Sequence, residues 1–274
     1  MMTELTGIAD ATVTLLPFWT VVAAAAVLGA IIGSFVGAVL IRLPMGRSVV
    51  VGRSACDGCG RTLSLWELVP VLSFAVLRGK CRTCDARIGG WQIACELGGA
   101  GVAVGAVAFA AEGEVLAAML LGWQLLLLGL LDLRHLWLPR MLTGLLALSG
   151  LAVAGARAWA AQGTGSAQGT GPLVQAAAGG ILGFAFLWLI ARAYERVRGR
   201  TGMGAGDPPL LGAIGLWLGP LGVVQTMLGA SVAGLLAAIV MLVSRRSIAS
   251  DTALPLGTCL AVTAWPLFLM QGAG

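Results

Sequence analysis

From Phe18 onward the chain is a succession of apolar runs parted by short polar or basic stretches. Most runs approach the roughly 20 residues that carry an α-helix across a bilayer. Hydrocarbon offers no partner to a free backbone amide or carbonyl, and a helix satisfies both internally. Hydrophobic residues fill 58% of the 274 positions and charged residues only 11%, with a mean hydropathy of +0.95. A soluble domain of this length needs far more charged surface. The expected fold is an all-α polytopic membrane protein with about eight transmembrane helices, near 18–42, 92–111, 114–132, 137–156, 173–193, 208–218, 220–243 and 253–271. The sixth is short enough to be a half-helix. Glu112-Gly113-Glu114 reads as a polar turn, and Gln162-Gly163-Thr164-Gly165-Ser166 as a flexible loop. Three parts follow: 1–42 as tail and first helix, 43–91 as a polar loop, and 92–274 as the main helical body. The first 17 residues hold Glu4 and Asp10 but no Lys or Arg, so no cleaved signal is read and the first span is expected to persist.

The net charge of +5 does not point to nucleic acid, because the arginines sit between apolar spans. Arg47, Arg53, Arg61, Arg78, Lys80, Arg82 and Arg87 occupy the loop 43–91. An eight-span topology places Arg134, Arg140, Arg196, Arg198, Arg200, Arg245 and Arg246 on that same side, and Arg157 on the other. The basic side is expected to be cytoplasmic. The N-terminus then lies outside, and the lone aspartates Asp132 and Asp207 meet the same cytoplasmic edge.

Four of the six cysteines form Cys56-x-x-Cys59 and Cys81-x-x-Cys84, with 21 residues between the pairs. Four thiolates at this spacing suit a structural Zn²⁺ and leave no open position for catalysis. A cytoplasmic loop disfavours the alternative of two disulfide or redox pairs. Gly58 and Gly60 suit the tight turn of a metal knuckle. Cys95 and Cys259 lie inside apolar spans and read as packing residues.

Ionisable groups at membrane depth are costly and mark sites of chemistry. Asp132 ends the run Leu125–Leu131, and Asp207 closes Gly204-Ala205-Gly206-Asp207. Each has a plainer reading. Asp207 before Pro208 and Pro209 resembles a helix N-cap, and Asp132 could pair with Arg134 or Arg140. Gly204 and Gly206 would allow positive φ or close approach by another chain. Glu96 is either an interfacial residue or a contact to the cysteine loop. His135 reads as interfacial, Pro139 as the start or bend of the next span, and Gly29, Gly33 and Gly37 as a close-packing helix face.

Together these blocks resemble the type IV prepilin peptidase family. Gly33-Ser34-Phe35 with Arg42-Leu43-Pro44 is similar to its first-span signature. Cys56-Asp57-Gly58-Cys59, Pro70-Val71-Leu72-Ser73-Phe74 and Arg78-Gly79-Lys80-Cys81-Arg82-Thr83-Cys84 resemble its zinc loop. Asp132-Leu133-Arg134-His135-Leu136-Trp137-Leu138-Pro139 resembles one aspartate block. Gly202-Met203-Gly204-Ala205-Gly206-Asp207, with Leu210-Leu211-Gly212-Ala213 and Leu218-Gly219, resembles the other. The resemblance implies an inner-membrane enzyme with catalytic Asp132 and Asp207, supported by the Gly204 and Gly206 backbone. It implies cleavage of a prepilin or pseudopilin leader after a glycine, and methylation of the new N-terminus from S-adenosylmethionine. Asp57, Glu67, Asp85 and acidic lipid are candidates to receive the basic leader. Three positions depart from the family's common residues: Gly37 for asparagine, Pro209 for lysine and Arg140 for aspartate. Competing readings are another G-x-G-D membrane protease of the preflagellin-peptidase type, a non-enzymatic zinc-bearing assembly factor, and a proton-carrying transporter. The four-cysteine loop argues against the first and the last.

Overall fold

The structure, a computed structural model, describes residues 17–49, 54–56, 58–163, 171–243 and 254–271. Glu4, Asp10, Arg53, Asp57, the loop residues 164–166, Arg245 and Arg246 lie outside the described residues. The apolar runs fold as helices: α1 Phe18–Arg42, a short α2 Leu72–Val76, α3 Gly90–Phe109, α4 Val115–His135, α5 Arg140–Gly163, α6 Gly171–Arg198, α7 Asp207–Val243 and α8 Leu256–Gln271. Six are long and apolar enough to cross a membrane, and α8 is a shorter apolar helix. Among the described residues the only β pairing is two isolated bridges. The protein is an all-helical, multi-pass membrane protein.

The chain divides into two compact units, Met1–Val115 and Leu116–Gly274. In the first, α1 lies backbone to backbone on α3. A methyl group on Gly33 would sit 2.7 Å from the Cα of Glu96, and one on Gly99 would sit 2.8 Å from the Cα of Gly33. Lipid gives helices no hydrophobic reason to associate, so this glycine-mediated approach and the buried hydrogen bonds beside it hold the pair together. Gln92 on α3 donates to Ser34 Oγ of α1 at 3.1 Å and to Glu96 Oε1 at 3.1 Å. α1 stops at Leu43-Pro44, where the proline cannot continue the ladder, and Gly46 turns the chain at φ 66.

In the second unit, α6 and α7 are pressed together through Gly179, Gly183, Gly212 and Gly215. A methyl on Gly183 would lie 2.6 Å from the Leu211 carbonyl oxygen, and one on Gly179 2.7 Å from the Cα of Gly219. Leu210, Leu211 and Ile214 of α7 are wholly buried, whereas Leu235, Leu236 and Val240 further along it are exposed. Trp217 donates to the Leu146 carbonyl of α5 at 2.9 Å, and Trp265 of α8 to the Ala118 carbonyl of α4 at 2.9 Å.

α7 is broken at Gly219 (φ 69, ψ −176), just before Pro220. The two arms match the expected spans 208–218 and 220–243. The break frees the Leu218 carbonyl, which accepts a hydrogen bond from Gln271 Nε2 of α8 at 3.3 Å. Elsewhere α5 and α6 run past the expected ends at 156 and 193, to Gly163 and Arg198. Apolarity fades there; in α6 no proline or capping glycine follows residue 193 until Gly199, which turns the chain at φ 66.

Candidate active site

Asp132 stands in the last turn of α4, and Asp207 is the first residue of α7. The two belong to one unit, each is only 6% exposed, and they lie near enough for their charges to act on one another. Asp132 does not pair with Arg134 or Arg140. Its Oδ2 instead accepts the Thr258 amide at 2.8 Å and lies 3.3 Å from the Thr258 hydroxyl, with the Gly257 amide turned to the same carboxylate. These donors belong to the first turn of α8, where helix amides have no acceptor of their own. Asp207 Oδ2 accepts the Gly204 amide at 3.1 Å. Both Thr258 contacts fall on Oδ2 of Asp132, and the Gly204 contact falls on Oδ2 of Asp207.

The G-x-G-D segment differs from the sequence expectation in two respects. Asp207 is not the N-cap: Leu210 donates to the Gly206 carbonyl at 3.1 Å, which makes Gly206 the capping position and Asp207 the first helical residue. Pro208 and Pro209 carry no amide and the Leu210 amide is spent on the Gly206 carbonyl, so the carboxylate turns back onto Gly204. Neither Gly204 nor Gly206 adopts positive φ; both serve close approach. A methyl on Gly206 would lie 2.6 Å from Leu138 Cβ, and one on Gly204 3.1 Å from Asp207 Oδ2.

Leu138, which sequence reasoning did not single out, is the wedge of the site. It is buried, and it touches the space beside Gly206 and also the space beside Gly257, where a methyl would lie 3.0 Å from Leu138 Cδ1 and 3.0 Å from Asp132 Oδ2. One side chain therefore abuts the glycines next to both carboxylates. The chain reaches it through Leu136 at φ 48, whose amide bonds to the Asp132 carbonyl at 2.8 Å. Pro139 accepts from Thr143 at the start of α5, and His135 is exposed. Pro209 lines an apolar groove of about 520 Å³ with Ala147, Gly180, Phe184 and Gly212.

In the first unit the four sulfurs of Cys56, Cys59, Cys81 and Cys84 lie within 4.8 Å of one another, and those of Cys56 and Cys84 are 3.7 Å apart. Tetrahedral zinc with bonds near 2.3 Å spaces its sulfurs by about 3.8 Å, so the cluster fits that ion. The two knuckles share one construction. The Cys56 amide bonds to Arg61 O at 2.8 Å and the Cys81 amide to Ala86 O at 2.8 Å. Gly58 N and Thr83 N, each two residues on, point at the sulfurs of Cys56 and Cys81 at 3.4 and 3.5 Å. Each knuckle turns four residues past its first cysteine, at Gly60 (φ 70) and Asp85 (φ 53). Gly58 leaves room for the second knuckle, since a methyl there would meet Ala86 Cβ at 2.7 Å.

Backbone amides of Thr83 and Cys84 pull the Cys81 thiol down to about 6. Cys84 is pushed up to about 12: the Ala86 amide favours its thiolate, but burial and the sulfurs of Cys59, Cys81 and Cys56 outweigh it. Sulfurs this crowded resist full ionisation until a cation joins them. Outside the cluster, the Arg61 guanidinium holds Glu67 Oε1 at 2.5 Å and also reaches the Cys81 sulfur. Glu67 Oε2 accepts the Ser64 amide at 2.8 Å, the return bond of a capping box, and also the Ser64 hydroxyl at 2.9 Å. Glu96 is buried on α3 and accepts the Val71 amide at 2.8 Å. Of its two sequence readings, contact with the cysteine loop is the one realised. Val71 itself is held at φ 61, a region valine rarely visits. Cys95 and Cys259 are buried packing residues.

Comparison with known proteins gives a consistent result. A model described as the bacterial peptidase A24 N-terminal domain matches residues 27–110, and the type IV leader peptidase family model matches 119–239. A prepilin leader peptidase/N-methyltransferase of Burkholderia pseudomallei (strain K96243) is 36% identical over 273 residues, covering 90% of this chain and 84% of the relative. One from Pseudomonas putida is 33% identical over 266 residues, covering 88% of each. A type 4 prepilin-like proteins leader peptide-processing enzyme of Escherichia coli O78:H11 is 32% identical, covering 85% of this chain and 88% of the relative. No solved structure gives a significant match. With two family models matched in order and relatives aligned over most of their length, the chain belongs to the type IV leader peptidase family.

Proposed function

We propose that this chain is an intramembrane aspartic peptidase that removes the leader of type IV prepilins or type II secretion pseudopilins after a glycine and then N-methylates the new N-terminus. The family and the names of the relatives support both halves. The observation that carries the peptidase half is the burial of Asp132 and Asp207 in one helical unit, with the single side chain Leu138 packed against the glycines next to both. Amide hydrolysis needs a base for water and an acid for the carbonyl oxygen. Two carboxylates with one proton between them supply both. One carboxylate takes a proton as water oxygen bonds to the scissile carbon, while its protonated partner hydrogen-bonds the carbonyl oxygen. The C–N bond then breaks, and the proton taken from water passes to the leaving amine. Gly204 and Gly206 support this pair by letting Asp207 fold back and Leu138 pack close.

The arginine distribution supports an N-terminus outside a bacterial inner membrane and an aspartyl pair on the cytoplasmic side. The substrate's hydrophobic helix would lie in the lipid with its start at that edge. Its basic leader would remain cytoplasmic, where Asp57, Glu67, Asp85 and acidic lipid could receive it. The cluster Cys56, Cys59, Cys81 and Cys84 would hold a structural Zn²⁺ that fixes the loop 43–91. S-adenosylmethionine would supply the methyl group.

Co-expression with a prepilin, followed by a mass spectrum of the pilin N-terminus, tests both halves. The expected product is shortened after glycine and carries one added methyl. Asp132→Asn and Asp207→Asn should each leave the precursor intact while the protein still inserts. Full cleavage by either variant removes the aspartyl mechanism, and an unmethylated mature product restricts the chain to peptidase work.

A further inference from the structure

We infer that Thr258, in the first turn of α8, is a positioning residue for Asp132, so that the active site has a third component beyond the two aspartate blocks. The inference rests on the reading of Asp132 and Asp207 as the catalytic pair. It concerns a segment past residue 239, where the family model's match ends.

Thr258 holds α4 at two points. Its amide donates to Asp132 Oδ2 at 2.8 Å, and its hydroxyl donates to the Gly129 carbonyl at 2.8 Å, three residues before the aspartate. The same hydroxyl is 3.3 Å from Asp132 Oδ2 and shares its proton between the two acceptors. Internal bonding of α8 begins with Cys259 donating to Pro255 at 3.3 Å. The Thr258 amide therefore has no acceptor in its own helix and is free for the carboxylate. A helix N-terminus also presents the positive end of its dipole to that carboxylate.

Two glycines make room for this clamp. A methyl on Gly129 would lie 3.3 Å from Ala261 Cβ and 3.8 Å from the Thr258 Cα. One on Gly257 would crowd Asp132 Oδ2 at 3.0 Å. The hydroxyl bond to Gly129 fixes where α8 begins relative to α4, and the amide then holds one carboxylate oxygen. Because both Thr258 contacts fall on Oδ2, Thr258 itself leaves the second oxygen of Asp132 to water or substrate. Among the described residues Asp207 has only the local Gly204 amide, so the clamp makes Asp132 the more tightly fixed member of the pair.

The test uses the full-length chain in detergent micelles or nanodiscs, with a prepilin as substrate and kcat and KM measured separately. Thr258→Val keeps the amide and the branched shape but removes the hydroxyl. Its kcat should fall about tenfold, on the order of one hydrogen bond's worth, with KM within about twofold. Thr258→Ser restores the hydroxyl and should return kcat to within about twofold of the parent. A purely structural role would lower the melting temperature and the active fraction without this Val–Ser contrast in rate. Gly257→Ala supplies a second handle that leaves Thr258 intact: its methyl presses on Asp132 Oδ2 and should also lower kcat. A parental kcat in Thr258→Val, or equal losses in Thr258→Val and Thr258→Ser, overturns the inference. Asp132→Asn is assayed alongside: an inactive Asp132→Asn with a fully active Thr258→Val rejects the clamp alone, whereas an active Asp132→Asn rejects the aspartyl pair itself.

Discussion

Gly206→Ala is the sharpest single perturbation of the aspartyl pair that leaves both carboxylates in the sequence. The added methyl would lie 2.6 Å from Leu138 Cβ and 3.2 Å from the Leu138 carbonyl oxygen. Carbon atoms prefer separations of about 3.5–4.0 Å, so the segment before Asp207 and the segment after Asp132 must part by roughly 1 Å. Neither neighbour is the far end of a flexible side chain. Both belong to or adjoin the backbone of a buried residue, so the shift passes into the chain that carries the aspartates. Overpacking of this kind costs about 1–3 kcal/mol of stability. A displacement of about 1 Å at reacting groups costs on the order of a hundredfold in rate. The assay is cleavage of purified prepilin by the purified variant, followed by mobility shift, with the melting temperature recorded in the same detergent. Gly204→Ala is the internal comparison, because its methyl meets Asp207 Oδ2 at 3.1 Å, a contact that a small rotation of one side chain relieves. The expected order of rates is parent, then Gly204→Ala, then Gly206→Ala. A Gly206→Ala enzyme that cleaves at the parental rate would show that Leu138 does not set the spacing of the pair.

Cys56→Ser should remove the bound metal, read as zinc per protein by elemental mass spectrometry, and open the loop 43–91 to protease; retention of one zinc per chain rejects the four-sulfur site. The Arg61 guanidinium, with help from Ser64, holds Glu67 down at about 2 from an ordinary value near 4.5. Its contribution to loop order is therefore present above about pH 4.5 and is lost as pH falls toward about 2. Glu67→Gln should resist protease less well than the parent at neutral pH and converge with it across that window; a constant difference at all pH values contradicts this. Gly219→Ala places a side chain at φ 69 and should cost roughly 1–3 kcal/mol, measured as a lowered melting temperature; no change would mean that the break in α7 relaxes freely.

The sequence was most legible where a residue's local chemistry dictates its surroundings. Gly219-Pro220 stands in the middle of an apolar run, where proline kinks or breaks a helix, so the two arms of α7 could be read beforehand. Paired C-x-x-C spacing likewise brings its sulfurs together within each knuckle. Partner choice across long separations was not legible. Asp132 is satisfied by amides 125 and 126 positions away, at Gly257 and Thr258, and nothing local distinguishes the start of α8 from any other helix N-terminus. The expected topology did put that start on the Asp132 side, a signal that could have nominated Thr258. Leu138 was missed because one leucine among many carries no mark of being a wedge. The N-cap reading of Asp207 failed by one residue: the helix starts a position earlier than the Asp-Pro step suggests, and the Leu210 amide that a cap could have used goes to Gly206.

The stretch between α1 and α3 is built from two small hairpin turns, one short helix and brief 3₁₀ turns, with Cys81 its sole buried apolar residue among those described. Ordering a residue's backbone costs about 1–2 kcal/mol, and a segment with so little apolar interior has no ordinary means of offsetting that. An ion gripped by residues 28 positions apart would do for this stretch what a cross-link does in a secreted miniprotein, by shrinking the unfolded ensemble. Shape there would then become a function of metal supply: a starved cell would make the same polypeptide with its helices inserted and a slack tether between them.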